Sequence, residues 1–327
     1  LYMEVDQGAP KGPADFAGPL WMELCQHVCR EASRLGIEIN MNNDAGWCGS
    51  GGPWITPELS MQKVTWSETA LEGGRRFEGS LPELPSSHGF YRDIAVLAMP
   101  WQEYRVRNVH GKALFGIQDA PPSPAAYPAI SAGQAIDRDR IVDISARRDK
   151  SGKLTWDVPP GKWLVIRFGD TTTGQNNLPA PASGRGLECD KLSKEAVQAH
   201  YRGLMGRLVA ENKALAGQGK TLVSTHIDSW EVGSQNWTPL MREEFRRRRG
   251  YDLIPFLPAF TGRIVGTVEL TERFLWDLRQ TISDMIVENY AGEMRKLANK
   301  DGLRLSIEAY GEPADDMTYA GQADEPM

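Results

Sequence analysis

The chain has 327 residues, with 37 Lys and Arg against 43 Asp and Glu, a net charge of −6, 41% hydrophobic residues and 24% charged residues. This composition belongs to a globular protein of about two domains and excludes disordered, collagen-like and disulfide-stapled chains. No run of about 18 apolar residues marks a membrane span, and the acidic balance argues against a nucleic-acid binder.

Residues 1–6 alternate as a short strand. Residues 19–35 predict an amphipathic helix on Leu20, Met22, Leu24 and Val28, with Gly36 as its C-cap. IEIN (37–40) is a second strand, followed by a glycine-rich loop over 42–58. From 76 to 186 helical periodicity fades. Short β-like runs take over at 93–99, 140–145, 153–158 and 162–168, the last two reading as a hairpin that turns at Pro159-Pro160-Gly161. Alternation of helix and strand resumes with a helix over 192–215, a strand LVSTHID (222–228) and a helix over 239–250. A long helix follows over 268–300, with Leu275, Leu278, Ile282, Met285, Ile286 and Tyr290 on one side, and then a strand LRLSIEA (303–309).

Four strands of parallel type with helices between them predict an α/β chain forming part of a (β/α)8 barrel of the TIM type. Residues 1–75 are its first part, 76–188 a β-rich, sandwich-like insertion and 189–327 its truncated continuation. Four strands cannot close a barrel, so the remaining strands are expected outside this chain. The alternative is an open doubly wound sheet, weakened because no G-x-G-x-x-G follows the first strand. The chain starts at Leu1 without Met and reads as a piece of a longer protein, so the lack of a leader says nothing about export. Cys25, Cys29, Cys48 and Cys189 lack the second Cys or His pair of a zinc site and read as small buried hydrophobes. The Arg246–Arg249 run lies at a helix C-terminus, where it suits the dipole and solvent.

In a barrel the chemistry collects at the C-terminal ends of the strands. Glu4 and Asp6 follow the first strand. Asn42, Asn43, Asp44, Trp47 and Trp54 follow the second. Asp228, Trp230 and Glu231 follow the third, with His226 just inside it. Glu308, Tyr310 and Glu312 follow the last. A carboxylic acid, a carboxylate, amides for hydroxyls and indoles for sugar faces make the mixture a glycosidase needs. Ten Trp and 33 Gly in the chain agree with carbohydrate-binding loops. The sharpest piece is Asp228-x-x-Glu231. Two acids three apart push each other's pKa values apart and so offer an acid and a base together; they also suit a divalent cation, or a helix cap. Glu308 interrupts an apolar strand and points to a mouth or to a buried ion pair. Asp44, Trp47, Trp54, His226, Trp230, Tyr310 and Glu312 are candidates for holding substrate, and His226 equally suits a satisfied core position. The glycine-rich loop lacks the Gly-Lys-Ser/Thr of a phosphate loop, and no nucleophile elbow with a matched His is present.

Taken together, EVDQGAPKGP (4–13), NNDAGWCGSGGPWITPE (42–58), HIDSWEVGSQNWTP (226–239), RRRRGYDLIPFLPAF (246–260) and IEAYGEP (307–313) resemble the α-L-rhamnosidases of glycoside hydrolase family 106. The resemblance implies a large, secreted or periplasmic, multidomain enzyme with a (β/α)8 catalytic barrel. It releases terminal α-L-rhamnose from plant polysaccharides or related glycosides with inversion, and calcium is associated with its site. The family's paired carboxylates fall on Asp228 and Glu231. A second essential glutamate comes from a later strand, either Glu308 or a residue beyond Met327. The other readings are a galactosidase-like or uronidase-like barrel glycosidase, a non-catalytic carbohydrate-binding relative, and a metal-dependent lyase or aldolase, which would want a lysine or a tight metal cluster at the strand ends.

Overall fold

The computed structural model describes residues 2–114, 134–311 and 313–327. A five-stranded sheet runs in the order Tyr2–Glu4, Ile39–Ala45, Leu222–Ile227, Arg304–Ile307, Glu325–Pro326, and every neighbouring pair is parallel. Spatial order equals chain order, as it does when each strand returns through a helix. Within this chain the sheet runs from Tyr2–Glu4 to Glu325–Pro326, and the architecture is a mixed α/β fold. The Glu325–Pro326 strand escaped the sequence reading because two residues carry no periodicity.

The parallel sheet has two unlike faces. Met41, Ile227, Leu305 and Ile307 join the main hydrophobic core. On the other face the side chains are polar. His226 Nδ1 and Ser306 Oγ lie 2.7 Å apart, and the Asn40 amide donates to the same Ser306 Oγ at 2.7 Å. Strand pleating alternates the two sets. The second strand runs to Ala45, five residues past the predicted end, so Asn42, Asn43 and Asp44 belong to the strand and are fully buried.

The helix Pro19–Leu35 starts with Pro at its first position after Gly18 and ends on Gly36, whose left-handed φ of 71° lets its N–H reach the carbonyls of Ala32 and Ser33. Its buried stripe is Trp21, Met22, Cys25, Cys29 and Ala32, whereas Leu20 and Leu24 face outward. Of the expected stripe Met22 is buried, whereas the leucines give way to Trp21 and the two thiols. All four cysteines are buried free thiols. The helix expected over 192–215 is two, Lys194–Gly203 and Met205–Glu211, broken at Leu204 with φ −125° and ψ −72°. The long helix passes from Val268–Met285 through a π-turn at Ile286–Ala291 into Gly292–Lys300, and its six predicted core residues are buried.

Between the second and third parallel strands lies an antiparallel sheet in the order Gln62–Glu72, Lys162–Thr172, Arg92–Pro100, Val142–Asp143, and a separate pair, Arg75–Ser80 with Lys153–Val158. The predicted hairpin over 153–168 does not form. Its two strands turn at 159–161 but pair with different partners. Leu164, Ile166 and Phe168 of the central strand enter the main core, and Trp163 and Val165 face a second cluster with Val96, Ala98, Leu154 and Trp156. The antiparallel block therefore shares its core with the parallel sheet. A bidentate pair from the buried Arg263 guanidinium to Glu68, at 2.6 and 2.7 Å, fastens it to the segment that precedes the long helix. Its return to the parallel sheet runs through the short pair Gly51–Gly52 with Leu187–Glu188. A Cβ on Gly186 would lie 2.1 Å from the Gly52 carbonyl group, so only glycine permits that approach. Among the described residues no helix is long and apolar enough to cross a membrane.

Candidate active site

Sheet register builds the site. Asn42, His226 and Ser306 are direct partners on three adjacent strands. Two residues further along, the same register brings Asp44, Asp228 and Glu308 to the end of the sheet as a row of three acids. The Glu308 N–H donates to the Ile227 carbonyl at 3.0 Å, which fixes Glu308 beside Asp228. Three sequence segments that are far apart in the chain thus deliver carboxyls side by side.

The three differ in environment. Asp44 is completely buried, and its Oδ2 has no partner. Burial, helped by the charge of Glu188, pushes it well above the carboxylate range against the pull of Lys191. Asp228 is half-buried; it accepts from the Ser229 N–H at 2.7 Å and stands 3.9 Å from His226 Nε2. Glu308 is raised from 4.5 to about 7, first by a hydrogen bond shared with Asp228, then by desolvation and by the charges of Asp228 and Glu231. Glu231 is exposed on the loop after Asp228. It accepts from the Trp47 indole N–H at 2.9 Å and from the Ser229 hydroxyl at 3.2 Å. Asp228, Glu231 and Glu308 therefore form one acidic group in which Glu308 retains a proton near neutrality.

The predicted substrate-binding residues divide. Trp47 joins the group through Glu231, and Tyr310 is exposed at the rim. Trp230 is buried under the loop with its ring edge-on to Tyr290, so it offers no open face to a sugar. Trp54 turns elsewhere: its N–H donates to His200 at 3.3 Å and its ring packs on Phe16 and against Gly203. His226 is buried and held by Ser306, and desolvation lowers its pKa despite Asp228, so it is a neutral residue of the layer beneath the acids. Asp44 is likewise too deep to touch a ligand. Glu4 and Asp6 leave the acidic row: Glu4 holds the Trp21 indole, and Asp6 accepts from the Gly8 N–H. Glu312 lies outside the described residues.

Calcium takes about six to eight oxygen ligands. Asp228 and Glu308 offer carboxylates of the right hardness. Among the described residues no group of three His, Cys, Asp or Glu side chains is placed to hold a metal ion.

Sequence reading missed Glu188, Lys191, Ser50 and His200, which join Asn43 and Tyr290 in a buried group beneath the loop. Lys191 donates to Glu188 at 2.5 Å, and Ser50 links Asn43 to Tyr290. The one visible signal was the density of charge in LECDKL (187–192), which reads as an exposed turn until the fold buries it.

Comparison with known proteins places the fold and the family. A structure of a rhamnosidase from Novosphingobium sp. PP1Y matches with a TM-score of 0.82 at 23% identity, over 98% of this chain and 44% of that one. That likeness is one of fold. A protein of Formosa agariphila named "Putative beta-glucuronidase" is 40% identical over 324 residues, 98% of this chain and 27% of its own length. The chain thus spans less than half the length of these two proteins. The model of the family described as alpha-L-rhamnosidase, Glyco_hydro_106, matches residues 7–104 and 99–327, and the chain accordingly belongs to glycoside hydrolase family 106.

Proposed function

We propose that the protein of which this chain is part hydrolyses terminal α-L-rhamnosidic bonds with inversion, Glu308 giving the proton and Glu231 activating water. One observation carries the reading: Glu308, raised to about 7 by Asp228 beside it, keeps a proton near neutral pH while Glu231 stands in the same acidic group with its carboxylate held by Trp47 and Ser229. Two carboxyls with divided roles are what glycoside hydrolysis requires.

The Glu308 proton passes to the glycosidic oxygen as the bond to the anomeric carbon breaks. The Asp228 charge stabilises the positive charge that develops there and keeps the donor protonated beforehand. Water attacks the opposite face of the sugar while Glu231 accepts its proton; an inverting pair needs about 6.5–9.5 Å between its carboxyls to admit that water. The products are β-L-rhamnose and the free alcohol. Glu308 is then ionised and Glu231 protonated, and exchange with solvent restores both. A polymeric plant-type glycan as substrate places the protein outside the cytoplasm, in the periplasm or the medium.

The name of the Formosa relative favours a second reading, a uronidase. Among the described residues no Lys or Arg ion-pairs with Asp228, Glu231 or Glu308, and the His226 imidazole beside Asp228 is kept neutral by burial. A neutral deoxy sugar suits such a site better than an anionic one. The test is the protein at its full length with 4-nitrophenyl α-L-rhamnoside and β-D-glucuronide, with added calcium and with EDTA, while proton NMR follows the first anomer released. β-L-Rhamnose appearing first is the expected result. Initial α-L-rhamnose overturns inversion, and cleavage of the glucuronide alone overturns the substrate.

A further inference from the structure

Lys191 is a buried cation that the proposed chemistry leaves without a task. Its side chain is completely enclosed. Its ammonium donates to Glu188 and contacts the Met61 sulfur at 3.7 Å. It also lies 5.2 Å from the centre of the Trp230 ring and 5.5 Å from that of Tyr290. Its backbone N–H donates to the Gln235 side chain at 2.9 Å. Gln235 in turn donates to Asp190, so the residue next to Lys191 grips the same point. The charged and titratable groups facing the ammonium are Glu188 and Asp44 from two strands, Cys189, His200 from the helix Lys194–Gly203, and Tyr290 from the π-turn.

A buried ion pair is a poor device for stability, since apolar residues of the same volume serve as well or better. The contacts of this pair point instead to the loop above it. Trp230 stands between Asp228 and Glu231, and Gln235 lies four residues past Glu231. We propose that Lys191 is a positioning residue for hydrolysis: it fastens the loop at two points, its ammonium beneath the Trp230 ring and its N–H on Gln235, and so holds Asp228 and Glu231 where they act. This rests on the catalytic reading above. The ring can lie over a cation only in one orientation of the loop, and the flanking acids inherit that orientation.

The experiment uses the full-length protein. The unsubstituted enzyme is first run on aryl α-L-rhamnoside, β-D-glucuronide and β-D-galactoside; cleavage of none of them overturns the catalytic reading itself. The double variant Lys191→Met with Glu188→Gln is then compared on the substrate that is cleaved. The expected result is a melting temperature within a few degrees of the parent, as replacement of buried pairs allows, with kcat lower by about 10- to 100-fold and KM little changed, as when a reacting group is misplaced. Trp230→Phe, which keeps a ring with weaker attraction for a cation, should give a smaller loss in kcat. The losses of the two variants should not add, because both act through one contact. An unchanged kcat in either folded variant, additive losses, or a loss explained by the unfolded fraction overturns the proposal. Should the double variant not fold, Trp230→Phe decides alone: full kcat overturns the proposal.

Discussion

Replacing Asp228 by Asn tests the acid row most directly. In the parent, Glu308 is raised from 4.5 to about 7, and two of the causes, the shared hydrogen bond and the like charge, belong to Asp228. Asn is neutral and of nearly the same shape, so it removes the repulsion and leaves desolvation and Glu231. The alkaline limb of the kcat/KM profile should then move acidward by about 1.5 pH units. At pH 7 about half of Glu308 is protonated in the parent and roughly 3% in the variant, a loss of about 15-fold from protonation; at pH 5 that part shrinks to less than about twofold, leaving only the pH-independent loss of the Asp228 charge. That recovery at low pH separates a displaced proton from a damaged site. Glu308→Gln is the control, since it abolishes the limb. A limb that stays near 7 in Asp228→Asn, or moves upward, refutes the assignment of Glu308 as the acid. Stability gives a second readout. The folded protein retains the Glu308 proton between pH 4.5 and about 7 while the unfolded chain has lost it, so this group's contribution falls as pH rises through that window. Asp228→Asn should flatten the fall.

Three further outcomes follow from the same geometry. Glu231→Gln should lower kcat by about 10²–10⁴-fold and leave the thermal midpoint almost unmoved, because the side chain is exposed; near-normal turnover ends its role as base. Arg263→Met breaks the pair that ties the antiparallel block to the segment before the long helix, at a cost of about 2–3 kcal/mol in urea denaturation, below the range for fully buried pairs because Glu68 is about a third exposed and rehydrates. Gly203→Ala places a Cβ 2.4 Å from the Trp54 ring and should cost about 1–3 kcal/mol, partly recovered by Trp54→Leu if that indole is a packing element and not a sugar platform.

What the sequence made legible was local. Pro19 and Gly36 bracket a helix, and LVSTHI and LRLSI read as strands from their β-branched and aliphatic runs. Asp228 and Glu231 stood out because acids rarely end such strands. The hairpin at 159–161 failed because partner choice is not local: the turn was visible, but its strands pair with residues some 70 to 100 positions earlier. Asp44, His226 and Trp230 were placed at the rim by chain position, yet the second strand continues through Asp44, and the loop folds Trp230 inward over Lys191. The alignment of Asp44, Asp228 and Glu308 needed the sheet register, which no single segment encodes.

The charge of that row also bears on the substrate. Glu308 is raised to about 7 by the hydrogen bond and the charge of Asp228 beside it, and Glu231 is a second acid close enough to raise it. A uronate bound with its carboxylate about 5 Å from one such charge meets a repulsion of about 3 kcal/mol at an effective dielectric of about 20, or roughly 200-fold in binding. Rhamnose carries a methyl group where a uronate carries its carboxylate, and it meets no such repulsion. For the full-length protein kcat/KM on an aryl β-D-glucuronide should therefore lie at least about 100-fold below that on the α-L-rhamnoside. The gap should narrow in Asp228→Asn chiefly at pH 5, where Glu308 keeps its proton and the Asp228 charge is gone; at pH 7 Glu308 ionises in its place and the repulsion largely remains. Comparable rates on the two sugars in the parent would mean that a cation outside this acidic row receives the uronate, and the argument from charge would fail with them.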